Sequence, residues 1–106
     1  MKLLVITAVK EYTENIRDIL MKNKVCTFSY TGVTGYRDST RDDVGGNWFA
    51  TEMNKTESLL FFAFVSDKTS EHVFGAIEEL NKTCDIDSKV HIAITPIEKS
   101  NTPIIQ

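Results

Sequence analysis

The chain has 106 residues, 42% of them hydrophobic and 25% charged, with a net charge of −3 and a pI near 5.3. Those values describe one ordinary globular domain. They exclude the basic stripe of a nucleic-acid binder, and no stretch approaches the roughly 20 apolar residues of a membrane-spanning helix.

The run from Leu3 to Val9 is almost continuously apolar and rich in β-branched residues, which predicts a buried first strand. Lys2 ahead of it gives the outline of a signal peptide. The run stops at Lys10 and Glu11 without a small-x-small cleavage site, so a strand and a cytoplasmic protein are expected. A helix follows from about Thr13 to Lys22, with Tyr12, Ile16, Ile19 and Leu20 on one face and Glu14, Arg17, Asp18 and Lys22 on the other. Asn23 can end it. Residues 25–34 then alternate as a second strand, with Cys26, Phe28 and Tyr30 on one side and Thr27, Ser29 and Thr31 on the other.

From Tyr36 to Glu57 the chain shows no helical or strand period, although it carries charges of both signs, Gly45-Gly46 and the single tryptophan, Trp48. Connections longer than roughly 12–15 residues are uncommon in compact domains and are usually functional or disordered. A third strand, Leu59 to Val65, does not alternate at all. Asp67 is the expected N-cap of a second helix, whose inward stripe is Val73, Ile77, Leu80 and Cys84. Asp85 to Ser88 reads as a polar turn, Val90 to Ile97 as the last strand closed by Pro96, and residues 98–106 as an extension. Cys26 and Cys84 are too few for a disulfide framework and fall at apolar-periodic positions, so buried thiols in a reducing setting are expected.

The order β-α-β-β-α-β defines an α+β, ferredoxin-like single domain over residues 1–106, an antiparallel four-stranded sheet with two helices on one face. Its bare face should alternate with polar residues, yet three of the four strands are apolar on both sides. Exposing Leu60, Phe62 and Phe64 would forgo about 1.5–3 kcal/mol each. Either another copy of the chain covers that face, giving a homo-oligomer, or Pro103-Ile104-Ile105 of the tail folds back over it.

The stretch Val33-Thr34-Gly35-Tyr36-Arg37 is similar to the Gly-aromatic-Arg entry of the T-loop in the P-II-like signalling proteins, the nitrogen regulatory protein P-II superfamily. Residues 57–66 resemble the strand that follows that loop, and residues 1–97 resemble the family in topology. The resemblance implies a homotrimer with its sheets turned inward and a small effector, an adenine nucleotide, held in clefts between subunits. It also implies a flexible T-loop, residues 36–57, that engages a target protein such as a transporter or enzyme. Gly35, Tyr36 and Arg37 would contact the ligand. So would Ser88 and Lys89, which stand where the family has a Gly-Asp-Gly-Lys turn. Arg41, Trp48 and Phe49 on the loop would meet the target. The chain departs from the pattern at Asp87-Ser88-Lys89, which has neither glycine, and in the tail, where Lys99 replaces an Arg-x-Arg pair.

Taken on their own, Arg37 and Arg41 either bind a phosphate or carboxylate through charge-assisted hydrogen bonds or pair with Asp38, Asp42 and Asp43. Trp48 and Phe49 either anchor a partner or fold back onto the body. A calcium loop starting at Asp38 fails, because Phe49 falls where the bidentate glutamate belongs. His72 and His91 have no partner at ligand spacing. With no nucleophile–base pair and no phosphate-binding glycine loop in the sequence, a binding or signalling protein is expected rather than an enzyme. The rival reading is a small trimeric enzyme or metal-handling protein of the same fold, with Asp38, Asp42 and Glu52 at the subunit boundary.

Overall fold

The computed structural model describes residues 1–36, 55–83 and 89–103. Strand β1 (Lys2–Val9) leads through a 3-10 turn (Lys10–Tyr12) into helix α1 (Thr13–Lys22). Then come β2 (Ser29–Tyr36), β3 (Lys55–Val65), helix α2 (Asp67–Thr83) and β4 (His91–Pro96). The strands lie in the order β2-β3-β1-β4 and every neighbouring pair is antiparallel. This is the ferredoxin-like βαββαβ arrangement expected from the sequence.

β1 is apolar apart from Lys2 and Thr7 because it is a central strand. Ile6 lies opposite Phe61 and Ile92, and its neighbour Val5 lies opposite Phe62 and Ala93. Side chains alternate across a strand, so Leu4, Ile6, Ala8, Phe61, Ala63 and Val65 share the helix-covered face, and all are buried. Ile16 and Leu20 of α1, with Val73 and Ile77 of α2, sit one helical turn apart and close over them. Burying each of these large side chains contributes about 1.5–3 kcal/mol.

Helix α1 ends in a Schellman motif. Val25 N donates to Leu20 O at 2.9 Å and Lys24 N to Met21 O at 3.1 Å, with Lys24 at φ 63°. A left-handed residue here is normally glycine, and a side chain costs roughly 1–2 kcal/mol. The motif turns Val25 into the core, so residues 25–28 form a connection and β2 begins only at Ser29. Cys26 is consequently exposed, not the buried thiol its position in an alternating pattern suggested. Cys84 lies outside the described residues. Tyr30 faces the helix side, stacked on Phe61 with ring centroids 4.8 Å apart.

The β2–β3 ladder reaches further than the sequence pattern implied. Tyr36 lies opposite Lys55, Gly35 opposite Thr56 and Thr34 opposite Glu57. Tyr36 and Glu57 are therefore strand residues, and the connection between the strands is residues 37–54. At the start of α2, Ser66 is the cap in place of Asp67: its Oγ accepts from Thr69 N at 3.2 Å. Asp67 instead accepts from the Met1 ammonium at 3.1 Å, which holds its carboxyl below the ordinary value of 3.8.

On the open face Leu3, Val5, Leu60, Phe62 and Phe64 form an apolar band along the two central strands. Phe62 is 38% exposed and Phe64 37%. The edge strands put Ser29 and Thr31 on one side of that band and His91 and Thr95 on the other. Residues 98–103 of the tail are exposed; the apolar Ile104 and Ile105 lie outside the described residues. Among the described residues no helix is long and apolar enough to cross a membrane.

Candidate functional site at the root of the β2–β3 connection

The last residues of β2 and the first of β3 bring the two ends of the 37–54 connection together at one end of the sheet. Beside them β1 ends at Val9, opposite Ser58, and the 3-10 turn carries Lys10 over the strand ends. A concavity of about 410 Å3 opens here, lined by residues 32–34 of β2, residues 57–59 of β3 and Lys10. That volume lies within the roughly 300–1,000 Å3 of small-molecule sites.

Its polar groups differ in how they are held. Lys10 Nζ lies 3.6 Å from Glu57 Oε1, and the two side chains are 65% and 82% exposed. An ion pair this exposed contributes about 0–1 kcal/mol, so either partner can be drawn to a ligand at little cost. Ser58 is only 1% exposed, and its Oγ has no hydrogen-bond partner. A buried hydroxyl left unsatisfied costs about 1–3 kcal/mol. No carbon substituent crowds the floor, since a Cβ added at Gly32 would meet nothing within 4 Å. The site therefore offers an exposed ammonium and carboxylate, while the Ser58 hydroxyl lies buried on the side of β3 that carries Leu60. The exposed pair suits a small ligand with both donors and acceptors.

Of the residues singled out in the sequence, Gly35 is buried in β2 and Tyr36 is exposed at the strand end above the concavity. Lys89 enters β4 at the same end of the sheet, but β3 and β1 lie between β4 and β2. Its Nζ donates to Asn81 O at 3.1 Å, on the last turn of α2. Arg37, Arg41, Trp48, Phe49 and Ser88 lie outside the described residues, as do Asp38, Asp42 and Glu52 of the rival reading. Among the described residues no three His, Cys, Asp or Glu side chains come together as a metal site. Sequence reasoning missed Lys10 and Ser58. The available signal was a lone serine opening an otherwise apolar strand.

The βαββαβ fold, with its sheet in the order β2-β3-β1-β4, is shared with solved structures. Two solved structures carry the comparison. One is CPII, a nitrogen regulatory PII-like protein from Thiomonas intermedia K12, bound to ADP, AMP and bicarbonate. It is 14% identical, with a TM-score of 0.68, over 97% of this chain and 94% of that one. The other is a DUF3240 family protein from Shewanella baltica OS155, 17% identical, with a TM-score of 0.67, over 96% of this chain and 94% of that one. No protein-family model and no curated protein matches the sequence. At these identities the likeness establishes the fold: this chain has a divergent P-II-like fold.

Proposed function

We propose that the chain is a P-II-like regulatory protein that assembles as a homotrimer and binds a small effector at the root of the β2–β3 connection. Effector binding changes the presentation of residues 37–54 to a target protein, a switch by rearrangement of a segment. The observation that carries this reading is the concavity between the two roots of that connection, with the exposed Lys10–Glu57 pair at its edge.

The effector proposed is an adenine nucleotide, in keeping with the ADP and AMP bound to the Thiomonas protein. Its site is completed between subunits. Lys89 stands at the loop-root end of the sheet on β4, while Tyr36 stands at that end on β2, and these are the two edge strands. An assembly that sets the β4 edge of one subunit beside the β2 edge of the next would bring Ser88 and Lys89 to Gly35, Tyr36, Arg37 and Lys10. The apolar band along β1 and β3 supplies the buried centre of that assembly. Arg41, Trp48 and Phe49 would then meet the target. In this reading the protein is cytoplasmic and performs no catalysis.

The test is a thermal-shift panel of ATP, ADP, AMP and bicarbonate, alone and combined, with the oligomeric state measured by sedimentation. A ligand at about 100 times its Kd adds about 2.7 kcal/mol of stability. A trimer stabilised by an adenine nucleotide supports the proposal. No response to any nucleotide overturns the effector assignment, and a stable monomer overturns the assembly.

A further inference from the structure

The end of the molecule opposite the loop root carries a second concavity. β1 ends at the loop root, so α1 runs back from it, and β3 likewise descends away from it to the start of α2. Between the end of α1 and the start of α2 lies a cleft of about 280 Å3, lined by Lys22, Asn23, Lys24, Lys68, Thr69 and His72. In a chain of net charge −3, three lysines and a ring N–H donor from two distant segments converge on one hollow.

Their charge is not answered by the protein. Among the described residues none of the four is in an ion pair. Asp67 is engaged by the Met1 ammonium and Glu14 by Arg17, while Asp18 and Glu71 form no bridge to the cluster. The α1 dipole favours Lys22 and Lys24 at its C-terminal end, but helix ends do not account for Lys68. The last carbonyls of α1 are already satisfied: Ile19 O by Asn23 N and Nδ2, Leu20 O by Val25 N, and Met21 O by Lys24 N. At α2 the sign is adverse, because Lys68 sits in the first turn, at the positive end of the helix dipole. Lys24 occupies the left-handed position of the α1 cap, where glycine would be unstrained. Lys24 at the left-handed cap and Lys68 against the dipole thus both work against stability, and both place positive charge in the same cleft.

We propose that this cleft is a binding site for a compact, multiply charged phosphate. Its volume falls below the roughly 300–1,000 Å3 of drug-sized ligand pockets, which favours a small anion. Ammonium groups act as mobile point donors suited to phosphate oxygens, and several of them on one hollow favour more than a single charge. The site lies at the opposite end of the sheet from the proposed effector site and does not depend on it.

Inorganic pyrophosphate is the probe, titrated calorimetrically at low ionic strength with sodium chloride as the matched control. Wild-type protein should bind it, with chemical-shift changes at the amides of Lys24, Lys68 and Thr69. Lys68→Gln should weaken binding about three- to fivefold, the scale of one exposed ion pair. Lys24→Gly should weaken it similarly while raising Tm, which separates loss of the site from loss of the fold. Lys82→Gln, whose lysine pairs with Glu79 elsewhere on α2, should leave binding unchanged. Absence of binding, wild-type affinity in both Lys24→Gly and Lys68→Gln, or shifts confined to the loop root would overturn the proposal. So would binding of phosphatidic acid vesicles without binding of free pyrophosphate, since the cleft would then serve a lipid surface.

Discussion

The side-chain amide of Asn81 mimics a strand neighbour for Val90: Nδ2 donates to Val90 O and Oδ1 accepts from Val90 N, both at 2.9 Å. Val90 is 3% exposed, so its backbone groups depend on this one side chain. Lys89 adds a bond from Nζ to the Asn81 carbonyl. The entry to β4 is thereby fastened to the last turns of α2, on the sheet end that carries the candidate site.

Asn81→Ala should accordingly destabilise the fold by about 1–3 kcal/mol, because it strands a buried N–H and C=O. Asn81→Asp should cost a similar amount, since it keeps the acceptor for Val90 N but sets an oxygen against Val90 O. Urea denaturation of both variants checks this. An effect below 0.5 kcal/mol in both, roughly the scatter of surface substitutions, would show that the clamp is dispensable.

The open face yields a prediction about assembly. Phe62 and Phe64 lie on the apolar band formed with Leu3, Val5 and Leu60. If three copies bury the part of each ring that is still exposed, Phe62→Ser with Phe64→Ser removes about 0.5–1 kcal/mol per side chain from every subunit. Sedimentation should then find monomers where the wild type is a trimer. A double variant that still sediments as a trimer would place the interface elsewhere.

Element order was legible because local patterns state it. The apolar runs of β1 and β3 and the helical stripes Ile16/Leu20 and Val73/Ile77 read directly as strands and helices. The two-sided grease of β1 and β3 also read correctly as an apolar open face. What failed was decided by backbone and partners. Strand alternation extended β2 back to Val25, but the Schellman turn at Lys24 overrode it and left Cys26 exposed. Asp67 was the better cap by residue preference, yet Ser66 took the role and left Asp67 for the Met1 ammonium. Gly35 and Tyr36 marked the loop root in the sequence. Lys10 and Ser58 did not, because only the β1–β3 register brings them to it. The basic cleft was invisible for the same reason, its lysines being 44 residues apart across the α1–α2 contact.

Asp67 gives the acid limb of stability a specific contributor. Its hydrogen bond from the Met1 ammonium, with the charge of that ammonium, lowers its folded-state value below 3.8. A depressed carboxylate stabilises the fold fully above its unfolded value and loses that contribution as pH falls through the folded value. Asp67→Asn should therefore lower Tm slightly at pH 7, and the gap from wild type should close below about pH 3.8. The bond is solvent-exposed, so the effect is small, and salt should diminish it. A gap that persists at pH 2 would mean that Asp67 acts through packing rather than charge.

Ser58 and Lys10 together offer the sharpest test of the loop-root site, because one should move stability and the other binding. The Ser58 hydroxyl is buried without a partner, so Ser58→Ala relieves an unmet hydrogen bond and should stabilise the ligand-free protein by about 1 kcal/mol or more. The hydroxyl has no surface open to the concavity, so stabilisation by the effective nucleotide should be kept. Lys10→Gln provides the contrast. Its exposed pair with Glu57 contributes about 0–1 kcal/mol, so stability should hardly change while the response to an anionic ligand declines. Thermal denaturation of both variants with and without nucleotide separates the outcomes. If Lys10→Gln responds to nucleotide as the wild type does, the site must lie elsewhere.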